Sequence, residues 1–226
     1  QTPSATTVGP ASSFYLNSTV AVADNLALTT TPAHTAEVID TIAVTAGTSP
    51  VFFERFVSGA LGVTSIPAGT WTFNVYGLTS SASGSNVINF RINRRVIQTG
   101  MTGTFTGAGA TRLFTVTGGT PFVPGDASAS RLTSSLVETP TQTAWISGYT
   151  SSSVVTVTLT DPAFVNVSGV TLSAIYYFLF NNQTPELTTS VALYTIDSVQ
   201  PSFTGFNLTD SIVAAWFATT SLSHNV

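Results

Sequence analysis

Apolar and polar residues alternate with a period of two along most of the chain, and no stretch sustains the three-to-four spacing of an amphipathic helix. In "TWTFNVYGL", Trp71, Phe73 and Val75 fall on one face of a strand, and Thr70, Thr72, Asn74 and Tyr76 on the other. "NVINFRIN" follows the same rule, which predicts Ile88, Phe90 and Ile92 inward and Asn89, Arg91 and Asn93 outward. Further strands are predicted at "AEVIDTIAVT", "VFFERFV", "TRLFTVT", "SVVTVTLT", "VTLSAIYYFLF", "VALYTI" and "SIVAAWFATT". Turn signals such as "SIPAG", "SSASGSN", "TGAGA", "TGGTPFVPGD" and "NNQTPE" separate them. Thr and Val dominate positions where a helix would carry Ala, Leu, Glu or Lys. The pattern predicts an all-β fold, a jelly-roll-like antiparallel β-sandwich.

Two segments sharpen this picture. Pro67-Ala68-Gly69 fits positions i+1 to i+3 of a type I turn, so Pro67, Gly69, Trp71 and Phe73 read as a structural turn-strand motif that needs no ligand. The Gly/Ser-rich "GLTSSASGSN" then predicts a hairpin joining that strand to "NVINFRIN". By contrast, "AIYYFLF" (174–180) and "IVAAWFA" (212–218) are apolar on both faces. An outer strand of a solitary sandwich should show a polar face. These two are therefore expected either at the centre of the core or under another subunit, with Tyr176, Phe178, Phe180, Trp216 and Phe217 as the candidate oligomer interface.

Composition narrows the function. Charged residues make up 7% of the 226 residues, against about 25% in a typical soluble domain. Forty Thr and 27 Ser supply the polar surface instead, and all six basic residues are arginines. With so few cations and a net charge of −4, nucleic-acid binding is disfavoured. Arg91, Arg94 and Arg95 form a small basic cluster, read as a solvated strand end. Cysteine is absent, so no disulfide framework exists. The longest apolar runs fall far short of the roughly 20 residues of a membrane-spanning helix, and membrane insertion is not expected. Residues 1–13, small, polar and Pro-containing, are predicted to be an extended N-terminal arm preceding a sandwich over 14–226. Gln1 in place of Met reads as a processed or trimmed start.

Candidate chemistry is sparse. The two histidines, His34 and His224, lie near opposite ends of the chain, and the carboxylates are dispersed, so neither a metal site nor a cofactor is expected. Glu54 with Asp161 or Glu138 is the residual pair for glycoside hydrolysis. No G-x-S-x-G nucleophile string occurs. "TGAGATRLF" lacks the Lys-Ser/Thr ending of a phosphate loop and reads as a hairpin turn. No catalytic residue is assigned. Trp145, in "TAWISGY", has small polar flanks and is the candidate glycan contact, with core burial the competing reading.

The segments "FVSGALGVTSIPAGTWTFNVYGLTSSASGSNVINFRINRR" and "VQPSFTGFNLTDSIVAAWFATT", with the lead-in "FYLNSTVAVADNLALTTTPAHTAEVIDTIAV", resemble a group of virion-associated β-rich proteins. These occur in tailed phages, including cyanophages, and in some large DNA viruses. The shared pattern is an "IPAGTW-x-F" turn-strand, a second strand ending in basic residues, and a late "QP-x-F…TD" segment leading into an apolar strand. Residues 96–190 fall outside the pattern and are expected to be an inserted set of strands or a second small β subdomain. The resemblance implies a structural protein of the virion surface (capsid decoration, spike, or tail or head fibre) and not an enzyme. Its implied partners are copies of itself, as a trimer or lattice, other virion proteins, and a host surface glycan. The alternative is an extracellular or cell-surface filament or adhesin subunit, assembled by donating the N-terminal arm as a strand.

Overall fold

The computed structural model describes residues 13–22, 25–31, 41–44, 50–140, 142–159, 166–222 and 224–225. The chain divides into two compact units: Gln1–Ile92 with Asn181–Val226 (unit 1), and Asn93–Phe180 (unit 2). In chain order, unit 1 begins with β1 (Tyr15–Val22), β2 (Asn25–Thr29), β3 (Ala43–Val44), β4 (Val51–Ser58), β5 (Ser65–Ile66), β6 (Gly69–Gly77) and β7 (Asn86–Ile97), whose last residues belong to unit 2. Unit 2 continues with β8 (Thr102–Thr106), β9 (Thr111–Thr117), a 3-10 turn at Pro124–Asp126, β10 (Leu136–Thr139), β11 (Gln142–Ser151), β12 (Val154–Leu159), β13 (Val170–Thr171) and β14 (Ala174–Gln183). The chain returns to unit 1 within β14 and ends with β15 (Ala192–Gln200), β16 (Phe203–Thr204), β17 (Ser211–Thr220) and β18 (His224–Asn225). The fold is all-β and mostly antiparallel. No helix of the described residues is long and apolar enough to cross a membrane.

Unit 1 is built in two layers. Its main sheet has the order β1-β2-β4-β17-β7, with β2 parallel to β4 and the β1–β2 and β4–β17 pairs antiparallel. A separate two-stranded ribbon, β6 with β15, keeps an uninterrupted antiparallel register from Ala192–Gly77 to Gln200–Gly69. Strict alternation along both ribbon strands sends Trp71, Phe73, Val75, Tyr194 and Ile196 inward. The Phe73 ring lies on the buried Phe90 of β7 at 4.0 Å, and Phe90 in turn meets Trp216 of β17 at 5.5 Å. This aromatic file joins the ribbon to the sheet.

Unit 2 follows the order β14-β10-β11-β12-β9-β8-β13, and every one of these pairings is antiparallel. Inward residues of successive strands, among them Phe105, Phe114, Val116, Ile146, Val155, Val157 and Ile175, form one apolar cluster with Phe122 and Leu172. Gly103 has a definite role here: a Cβ at that position would lie 2.1 Å from Cζ of Phe114, so only glycine lets the ring sit over β8. The glycine-rich "TGAGA" is the turn of the β8–β9 hairpin. Arg112 donates from Nη1 to the carbonyls of Gly109 and Thr111 and from Nε to Asn166 Oδ1 (2.9 Å), which pins the tip.

Several sequence expectations are corrected. β6 and β7 do not form a hairpin: the connection from Leu78 to Ser85 carries the chain between layers, so the strands meet through stacked rings and not through backbone pairing. Asn86 organises this loop, its Nδ2 donating to the carbonyls of Ser81 and Ser83 while its Oδ1 accepts from Thr220. Asn89, Arg91 and Asn93 are buried, not solvated, because β7 is an inner strand covered on both faces. The Arg91 guanidinium lies 5.8 Å from the Phe217 ring, so the basic cluster is not a solvated strand end. The expected arm over residues 1–13 lies outside the described residues except for Ser13, as do most of "AEVIDTIAVT", His34 and Asp161.

Candidate functional site

The two sequence segments that carry the resemblance fold against each other in unit 1. β5 pairs with β16 through Phe203–Ile66 and Thr204–Ser65, immediately beside the β6–β15 ribbon in the chain. Trp71 meets Phe203 edge-on at 6.4 Å. The backbone closes the join, with Phe206 N–H donating to Thr64 (3.1 Å), Gly62 to Leu208 (3.1 Å) and Leu61 to Asp210 (2.8 Å). The buried Asp210 of the "TD" pair accepts the Asn207 N–H at 2.7 Å and so fixes the turn that launches β17. "IPAGTW-x-F" and "QP-x-F…TD" thus form one composite element. Pro67 and Gly69 stand exposed at its turn, while Trp71 and Phe73 are half-buried on its inner face.

The outer face of the ribbon is exposed and almost uncharged. Cross-strand hydrogen bonds link Thr72 to Asp197 (2.6 Å) and Thr195 to Asn74 (2.8 Å). On either side of this polar middle stand apolar side chains: Tyr76 opposite Leu193, and Val199 opposite Thr70. Asp197 is the one charged residue in the two strands.

The residues expected at an oligomer interface lie elsewhere. Tyr176, Trp216 and Phe217 are 0%, 6% and 3% exposed, and Phe180 is buried too; only Phe178 is half-exposed. Their doubly apolar strands are inner strands: β17 lies between β4 and β7, and Phe217 packs on Phe52 at 5.7 Å. Burial within the chain accounts for Tyr176, Phe180, Trp216 and Phe217, and leaves Phe178 half-exposed. Trp145, the candidate glycan contact, is half-buried and packs against the cluster of Leu136, Ala174 and Tyr176.

Unit 2 contains two buried polar clusters that composition did not reveal. Arg95 donates to both oxygens of Glu138, from Nη2 to Oε1 at 2.8 Å and from Nε to Oε2 at 3.2 Å, and the Tyr176 hydroxyl donates to the same carboxylate. A carboxylate so occupied is a structural tie and not a free acid for glycoside hydrolysis. The other acid of that pair, Glu54, belongs to β4 of unit 1. Among the described residues no group of three or more His, Asp or Glu could hold a metal ion.

In the second cluster, Asp126 accepts the Val123 N–H (2.8 Å) and the Ser135 hydroxyl (3.1 Å). Burial pushes its carboxyl above the ordinary 3.8, outweighing the two hydrogen bonds that pull it down. The folded carboxyl therefore holds its proton to higher pH than the unfolded one. Its contribution to stability is fully present below 3.8, falls as pH rises towards the raised value, and stays lost above it. Asp126→Asn keeps only one of the two acceptor oxygens at every pH and carries no such slope. The stability gap between wild type and variant is expected to narrow as pH rises from about 3.8. Urea midpoints of both proteins across that range measure it; a constant gap would show that Asp126 does not titrate differently in the folded chain.

No family model, no curated protein and no solved structure matches the chain.

Proposed function

We propose that the chain is a structural protein of a virion surface, a decoration, spike or fibre component that works by assembling with copies of itself and with other virion proteins, not by catalysis. The supporting observation is the composite element of unit 1. The two segments that carry the resemblance, far apart in sequence, meet through β5–β16, the Trp71–Phe203 contact and the end of the β6–β15 ribbon at Val199–Thr70 and Gln200–Gly69. These segments make one element whose inner face is buried and whose outer face is a Thr/Asn surface with apolar ends and a single charge, Asp197. Such a surface can meet a neighbour with little desolvation of charge. Catalysis would need convergent ionisable groups, whereas the carboxylates of Glu138, Asp126 and Asp210 are tied into hydrogen bonds that hold loops and strands.

Immunogold labelling of particles purified from lysed host cultures tests this reading. Regular labelling of particles supports it. Finding the chain instead on the surface of uninfected cells, in open fibres, would overturn it in favour of the filament or adhesin alternative.

A further inference from the structure

Five of the exposed large apolar residues of unit 1 lie on the β6–β15 ribbon or directly at its ends. Four form a block: Tyr76 (65% exposed) stands opposite Leu193 (50%), and Leu78 (40%) and Val191 (64%) continue the same columns beyond the Gly77–Ala192 pair. Period-two geometry puts Tyr76 and Leu193 on the outer face, away from Trp71, Phe73 and Tyr194, and the exposed Leu78 and Val191 stand just beyond the strand ends. Together they expose on the order of a few hundred Å² of contiguous apolar surface, the size at which a patch marks an interaction site.

We propose that this block is a self-association surface, occupied by the same block of a second copy about a two-fold axis running along the ribbon between β6 and β15. The inference builds on the self-assembly part of the function proposed above. Charge selects the occupant: the two strands carry a single charged residue, Asp197, four positions from Leu193, so a charged partner finds almost nothing to pair with while an identical face meets no repulsion at the block. Symmetry also fits. The two-fold sets Tyr76 of one protomer over Leu193 of its partner and the reverse, so both apolar columns are covered at once. At the other end it sets Asp197 over Thr72 of the partner, so that the two carboxylates are not stacked directly on one another. The block is smaller than the roughly 800 Å² per partner of a standard stable interface. Pairwise association is therefore weak and concentration-dependent, and becomes firm where many copies are arrayed.

Sedimentation velocity of the full chain over a wide concentration range, with Leu193→Asp and Tyr76→Lys variants, provides the test. Both sites are exposed, so circular dichroism and melting temperature should match wild type. Each variant alone is expected to self-associate about tenfold or more weakly, because it buries an unpaired charge. An equimolar mixture of the two variants is expected to recover most of the association. In the mixed pair, the carboxylate introduced at position 193 of one protomer faces the ammonium introduced at position 76 of the other. Wild type that associates while both variants do so equally well overturns this surface but leaves the assembly reading standing. Wild type that stays monomeric overturns the surface as well, and the assembly reading falls with it only if purified particles also lack the chain.

Discussion

Glu138→Ala is expected to lower the stability of unit 2 by about 3–5 kcal/mol, the usual loss when one partner of a buried ion pair is removed. The reason lies in what remains. Arg95, with its side chain only 14% exposed, would keep its charge over the Tyr176 ring at 5.7 Å without the carboxylate that accepts from Nε and Nη2. The Tyr176 hydroxyl, fully buried, would lose its acceptor at the same time. Hydrogen exchange of the full chain, read on peptides from β10, β11 and β14, should show these strands opening more often in the variant. Two companions separate charge from packing. Tyr176→Phe should cost about 1 kcal/mol, one hydrogen bond. Arg95→Met with Glu138→Leu should regain much of the loss, because no charge is then left buried. A loss below about 1 kcal/mol for Glu138→Ala would mean that the pair behaves as a solvated surface bridge.

Phe90→Ala is expected to cost unit 1 about 3–5 kcal/mol. Phe90 is fully buried, with the Phe73 ring at 4.0 Å and the Trp216 ring at 5.5 Å. Truncation removes apolar burial, leaves a cavity and breaks two ring contacts, of which Phe73–Phe90 joins the ribbon to a sheet with which it has no backbone pairing. Exchange in β6 and β15 should therefore accelerate before exchange in β4 and β17. Phe90→Leu, which keeps most of the volume, should regain more than half the loss. Equal protection of the ribbon in wild type and Phe90→Ala would show that its anchorage lies elsewhere.

Where one face of a strand is buried and the other wet, the sequence was legible. β6 and β15 alternate as written, and the turn residues of "TGAGA" mark the β8–β9 hairpin. Legibility failed where both faces are buried. Asn89 and Arg91 look like solvent-facing residues in a period-two pattern, yet a buried polar residue with a partner leaves the same letter in the string as an exposed one. The Gly/Ser-rich segment after β6 suggested a hairpin because composition reports a loop but not whether it stays within a layer. Of the strands apolar on both faces, 212–218 is buried throughout and 174–180 is buried except at Tyr177, Phe178 and Leu179, which are half-exposed. The Arg95–Glu138–Tyr176 cluster could not be read at all, since its members are 38 to 81 positions apart. The contiguous unit of the chain is Asn93–Phe180, whereas the sequence placed an inserted set of strands or second subdomain at 96–190.

The way the chain leaves unit 1 in β7 and re-enters it in β14 has a consequence for synthesis. Unit 2 is contiguous, so it can close on the ribosome as soon as it has emerged. Unit 1 cannot: β17, which lies between β4 and β7 in its sheet, and β15, the partner of β6, are translated only after all of unit 2. Until then β4 and β7 wait with open edges, and the composite element that bears the outer face does not exist. A translation arrest soon after unit 2 would thus yield a chain with one finished core and an unfinished first unit, lacking the β6–β15 ribbon and the strand that fills the gap between β4 and β7.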